Sequence, residues 1–331
     1  MVTVHPKDIH RQANTLLQQR KSPNKLALIH TAIALGGSAL LTGVNYLVSL
    51  GISHTGGLSG LELRSLLETI QSVLSLTIGI ALPFWEIGLL FAALQWTEGN
   101  DANFSSLLQG FRRMGSVLAC RLLTGGIFLI LGFSLFYISA TIYVLTPFST
   151  PLLEQLEPII GNAATPEQLQ SMLTSELTDQ MATTMVPLFL LFGILFLLIG
   201  IPLFYRLRFA EFGVMEGMQG SKAILKSLRI TRKNSLSLLK LDLRFWWFYL
   251  LQLLCLAICC GDELLPLLGI HLPLSFSASP LVFYGLGSAL QCVLFWRFRA
   301  TVLSAYCLVY RAFAAESLPT PSIPEAQSIQ P

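Results

Sequence analysis

Across 331 residues, 53% are hydrophobic and only 12% charged, with a mean hydropathy of +0.65 and a formal net charge of +3. So little polar surface excludes a water-soluble globule of this size. The sequence therefore predicts an all-α polytopic membrane protein: six transmembrane helices of roughly 20 mainly apolar residues each, joined by amphipathic surface helices.

Residues 1–25 form a cytoplasmic arm carrying Lys7, Arg11, Arg20, Lys21 and Lys25. Ile9, Ala13, Leu16 and Leu17 recur at helical spacing among the bases, which predicts an amphipathic helix along the inner membrane surface. The next apolar run is longer than the roughly 7 to 15 residue core of a secretory signal peptide, so the first span, 26–50, is expected to stay in the mature protein. Its His30 reads as a hydrogen-bonded helix contact. Ser59 and Glu62 have the capping-box spacing, and Leu63, Leu66, Leu67, Ile70 and Leu74 continue an apolar stripe into the second span, 70–94. Pro83 predicts a kink within it.

Glu86 lies deep in that span, where a carboxylate costs on the order of 3 kcal/mol. Cations that match its depth come from two later spans running in the same direction. LFYRLRFAEF (203–212) and LFWRFRA (294–300) each place two arginines two residues apart near the inner end. Such residues point about 200° apart on a helix, so one turns to the bundle while the other reaches the headgroups. The expected intramembrane ion pair joins Glu86 to Arg206 or Arg297, with Arg208 and Arg299 as headgroup contacts. It acts either as a clamp that fixes helix register or as an inner gate, and the clamp is favoured.

After the second span, Phe104, Leu107, Leu108, Phe111 and Met114 form one face of a basic surface stretch that leads into the third span, 120–145. The outer segment 148–184 is acidic and lacks bases, and Leu169, Met172, Leu173, Leu177 and Met181 predict an amphipathic outer cap. Span four, 186–205, is followed by a second basic stretch, in which Ile224, Leu225 and Leu228 oppose Lys222, Lys226, Arg229, Arg232 and Lys233. Asn234 and Ser235 mark the turn into span five, 243–261. Lys240 and Arg244 are further headgroup contacts there, with Asp242 in the same charge network. Span six, 281–300, completes a six-span domain over 26–312, and 313–331 reads as a disordered cytoplasmic tail.

Spans two, four and six each carry an aromatic pair near the inner half: Phe84-Trp85, Phe204-Tyr205 and Phe295-Trp296. A Glu-Gly follows twice, at 98–99 and 216–217, and each time a basic amphipathic stretch leads into the next span. The pattern points to an internal duplication in parallel orientation. Of the 21 lysines and arginines, 20 fall on one side of this topology and only Arg64 on the other, which places both termini in the cytoplasm.

Cys120, Cys255, Cys259, Cys260, Cys292 and Cys307 all lie in or beside spans, so no disulfide framework is expected. Cys255 and Cys259 share a helix face without a histidine or carboxylate at ligand spacing, and the five histidines are scattered. Neither a metal, a cofactor nor a catalytic triad is indicated, and no phosphate-binding glycine loop is present.

IHRQANTLL, LRSLLETIQSVLSL leading to PFWEIG, SLLQGFRRMGSVL and ILKSLRITRKNSLSLLKLDLRFWWFYLL resemble the bacterial integral membrane proteins of the domain of unknown function 975 family, over roughly residues 9–312. Where family members usually carry Gly before the Asn of the turn into span five, this chain has Lys233. The resemblance implies a helical membrane protein with no established activity. The expected function is thus a non-enzymatic structural or accessory component of the bacterial cytoplasmic membrane. The alternatives are a transporter or permease for a small solute or lipid and, after it, a membrane-embedded lipid-modifying enzyme. Expected partners are the bilayer with its anionic headgroups and a membrane protein, not nucleic acid.

Overall fold

The computed structural model of the chain describes residues 5–21, 23–54, 58–146, 150, 178–232, 234–261 and 279–316. Most of the expected outer cap and of the expected tail, together with residues 262–278 between spans five and six, lies outside the described residues. Helices α1 (Pro6–Gln18), α2 (Pro23–His54) and α3 (Leu58–Glu98) come first, then the short α4 (Phe104–Leu107) and α5 (Gln109–Arg112). They are followed by α6 (Met114–Val144), α7 (Thr178–Leu207), α8 (Ala210–Met215), α9 (Gly220–Thr231), α10 (Ser235–Arg244), α11 (Trp246–Cys259) and α12 (Ser279–Glu316). No strand occurs among the described residues.

Five stretches are long and apolar enough to cross a membrane: Pro23–Val44, Glu68–Glu98, Met114–Val144, Met185–Met215 and Val282–Glu316. A sixth arises only if α10 and α11 are taken together, and these are bent by 62°. The chain is therefore an all-α polytopic helical membrane protein. The expected fifth span over 243–261 begins at a corner at Phe245. That ring is 1% exposed, with His10 of α1 at 5.5 Å and Tyr306 of α12 at 6.4 Å, so tertiary burial of one side chain turns the chain.

Local chemistry sets several helix ends. Pro6 opens α1 at a position where its missing N–H is not needed, with Asp8 in the first turn. Gly99 and Gly217, at φ +91° and +102°, close α3 and α8 in the same manner. Gly99 N–H bonds Trp96 C=O and Asn100 N–H bonds Gln95 C=O, while Gly217 N–H bonds Val214 C=O and Met218 N–H bonds Gly213 C=O. Each is a Schellman stop, which satisfies the last carbonyls and needs a residue tolerant of positive φ. The repeated Glu-Gly is thus a repeated helix stop.

The chain divides into two compact units, residues 1–120 with 209–331 and residues 121–208. In the first, α12 is the central helix, packing on α1, α2, α3 and α11. Of the apolar span windows its own is 56% buried, against 11–33% for the others. Trp96, Phe209, Phe245, Tyr310 and Phe313 are the largest members of its core, and Phe209 lies 5.4 Å from Tyr310 and 5.1 Å from Phe212. In the second unit, Tyr143 and Leu188 are buried together with Ala140 beside them, and Phe136 meets Phe192 edge-on at 5.9 Å.

The basic stretch after α3 does not float on the surface. A Cβ at Gly88 would stand 1.8 Å from Leu107 O, and one at Gly110 would stand 1.9 Å from Phe84 O. Backbone thus presses on backbone where α4 and α5 cross α3, which only glycine allows. Ser106 reinforces the junction by donating to Gln95 Oε1 at 2.7 Å while accepting from Asn103 N–H at 3.3 Å.

Candidate functional site

Charged and hydroxyl side chains of the first unit gather at the end of the bundle that carries α1, and they act mostly on helix ends. Arg20 donates to Gly99 C=O, and Lys21 N–H to Asp101 Oδ1 at 3.2 Å, fastening the arm to the stop of α3. Arg113 does the same for α8: its Nη1 donates to Val214 O and Met215 O, both at 2.7 Å, beside Gly217. A guanidinium at a helix C-terminus meets both the orphan carbonyls and the negative end of the helix dipole.

The glutamates that precede the two stop glycines reach α12. Glu98 pairs with Arg311, while Glu216 Oε2 takes Lys226 Nζ at 2.7 Å and the Tyr310 hydroxyl at 2.6 Å. Lys226 also lies 5.2 Å from the centre of the Tyr310 ring. Glu316 Oε2, at the end of α12, accepts from Asn234 Nδ2 at 3.1 Å, and Asn234 is 3% exposed at the turn into α10. Asp242 accepts from the Tyr306 hydroxyl, which is 2.7 Å from that of Tyr249.

One level deeper, His30 and Trp85 face each other across α2 and α3. His30 Nε2 is 3.0 Å from Trp85 O, Trp85 Nε1 donates to His30 O at 2.9 Å, and the rings stack at 5.5 Å and 11°. A carbonyl opposite Nε2 assigns the proton to that nitrogen, and Nδ1 then has no hydrogen-bond partner among the described residues. His30 is wholly buried and is the expected helix contact.

Glu86, the next residue after Trp85, has an exposed side chain, and its charge reaches Arg299. Arg299 is half-buried, lies 4.5 Å from the centre of the Phe295 ring, and also acts on His30. Arg297 is the exposed member of its pair. Arg206 and Arg208 belong to the second unit, where both are half-buried and Arg208 lies 5.5 Å from the Phe204 ring and 5.9 Å from that of Tyr205. Lys240 and Arg244 are exposed. The six cysteines are free thiols, and no group of three metal-ligating side chains occurs among the described residues.

Sequence reasoning singled out the paired arginines but missed Arg20, Arg113, Trp85, Tyr306 and Tyr310. A signal existed for the first two: a Glu-Gly stop exposes carbonyls that want a cation. For the tyrosines there was none, because a hydroxyl in an apolar helix looks the same whether or not a carboxylate faces it.

The fold and these contacts define a class, a polytopic helical membrane protein fastened by polar contacts at one end. No known protein family matches the chain, and neither a curated protein nor a solved structure matches it.

Proposed function

We propose that this chain is a non-enzymatic structural or accessory component of the bacterial cytoplasmic membrane, with both termini in the cytoplasm and anionic headgroups around Arg208, Arg299, Lys240 and Arg244. The placement of 20 of its 21 lysines and arginines supports the orientation. One observation carries the functional reading: Glu98 and Glu216, at two matching helix stops, both tie to α12 through Arg311 and Tyr310. Acidic groups spent on joining helix ends hold a bundle together, which is the work of a scaffold.

The test is to solubilise native membranes after mild cross-linking and to follow the chain on a native gel, while the purified chain is reconstituted in liposomes. An accessory component runs with a second membrane protein at fixed stoichiometry, and its liposomes stay tight to ions, small solutes and lipid exchange. A chain that runs alone and passes one of these would overturn the proposal in favour of a permease.

A further inference from the structure

A cavity of about 440 Å³ opens between α1, the start of α2 and the basic-end portion of α12. Lys25 and Arg297 stand on it with exposed side chains, Asn14, Gln18 and Thr301 supply neutral hydrogen-bonding groups, and Trp296 lies beside them. No carboxylate is among its lining residues. Its polar floor is ordered: Thr301 Oγ1 donates to Asn14 Oδ1 at 3.1 Å, and Asn14 Nδ2 is 3.3 Å from His10 Nε2. Two cations with neutral donors and no competing acid suit a phosphate oxyanion.

The surroundings say what else the occupant must have. Lys25, Ile29 and Ile33 recur at intervals of four on α2, and Arg297, Val293 and Leu290 at intervals of four and three on α12, so each base heads an apolar row on its own helix face. All four apolar residues are exposed, at 41% and 47% on α2 and 60% and 43% on α12. The two helices pack against each other, and they run in opposite directions because Lys25 meets Arg297 at the cavity while Leu35 O accepts from the Tyr284 hydroxyl farther along, so both rows lead away from the cavity along the apolar spans. A tryptophan where charge gives way to apolar surface is typical of the membrane interface. A free phosphate uses the cations and leaves the rows idle, whereas a phospholipid uses both.

We propose that this cavity is a binding site for an anionic phospholipid, with the phosphate held by Lys25 and Arg297 and the acyl chains laid along the two apolar rows. Basic pockets beside spans are suited to such headgroups. The surface arm α1 completes the site through Asn14 and Gln18, so the lipid also pins the arm to α12.

The experiment is a thermal-shift titration of the full-length protein in detergent, because a ligand that binds only the folded state raises the melting temperature by mass action. The probes are dioctanoyl phosphatidylglycerol, dioctanoyl phosphatidylcholine and glycerol 3-phosphate. A saturable upward shift is expected with phosphatidylglycerol alone, its midpoint moved at least tenfold by Lys25→Gln combined with Arg297→Gln and unchanged by Lys222→Gln, which removes an exposed charge elsewhere. Both cavity bases are exposed, so the double variant should melt like the parent without lipid. If it does not, each single variant carries the test with a several-fold shift. An equal response to phosphatidylcholine, an equally tight one to glycerol 3-phosphate, or a midpoint indifferent to the cavity variants overturns the proposal.

Discussion

His30 and Trp85 hold each other twice across α2 and α3, the imidazole Nε2–H on the Trp85 carbonyl and the indole N–H on the His30 carbonyl. Both side chains are buried, so removing one donor strands a carbonyl away from water. Trp85→Phe should therefore destabilise the bundle by about 1–3 kcal/mol, read as a lower melting temperature in detergent. His30→Gln retains a donor and should lose less. Equal melting temperatures for all three proteins would mean that the double bond is only a by-product of packing.

Gly88→Ala and Gly110→Ala should each cost most of the folded, monodisperse protein on size-exclusion chromatography, since a methyl group at either site meets a backbone carbonyl within 2 Å, at 1.8 and 1.9 Å. Gly115→Ala, with nothing within 4 Å, is the control and should elute like the parent. A normal profile for either of the first two would show that α4 and α5 are free to lift away from α3.

Much of the fold was readable because the length and apolarity of the spanning helices are set residue by residue along the chain. The 62° bend at the start of the fifth span was not legible because it depends on Phe245 finding His10 and Tyr306, partners far away in sequence. The same reason hid the clamps. Glu98 and Glu216 were visible as a repeat, but Arg311 and Tyr310 are 213 and 94 residues away from them. Pairing of that kind is a property of packing, and a pattern along one helix does not encode it.

Arg113→Lys keeps the charge but shortens the side chain whose Nη1 donates to two carbonyls at once. It should lower the melting temperature, and Arg113→Ala should lower it further. Gly217→Ala, forced to a φ of +102°, should cost at least about 1–2 kcal/mol on its own. Additive losses in the double variant would show that the cap and the stop act independently.

The two glutamate clamps should differ in strength. The Glu98 and Arg311 side chains are 48% and 33% exposed, so a double-mutant cycle with Glu98→Gln and Arg311→Gln should give at most about 1 kcal/mol, weakening with salt. Glu216 has two partners, one of them the fully buried Tyr310, and Glu216→Gln should cost more. A reversed order would place the main fastening at α3.

His10 gives the arm a pH dependence. Burial, and after it the Arg244 guanidinium, hold its imidazole below the ordinary value of 6.5. The undocked arm then binds a proton more readily than the docked one, so docking is complete above about pH 6.5 and weakens as the pH falls through that value. Lys7, Arg11 and Arg244 share the basic cleft with it. Hydrogen exchange in α1, corrected for its intrinsic pH effect, should rise as the pH falls below about 6.5, and His10→Gln should flatten the rise. A slope that survives the substitution would assign it to other groups.

The contact of α4 and α5 with α3 also has a place in time. Everything it needs, from Phe84 to Gly110, leaves the ribosome within one short stretch of chain, and closing a loop that small takes little entropy. The junction should therefore be among the first tertiary contacts to form during synthesis, before α12 exists. The spans that arrive later, α12 above all, then meet a prepared platform, and a cell making this protein should show a protease-resistant fragment ending near residue 120 well before the full chain is complete.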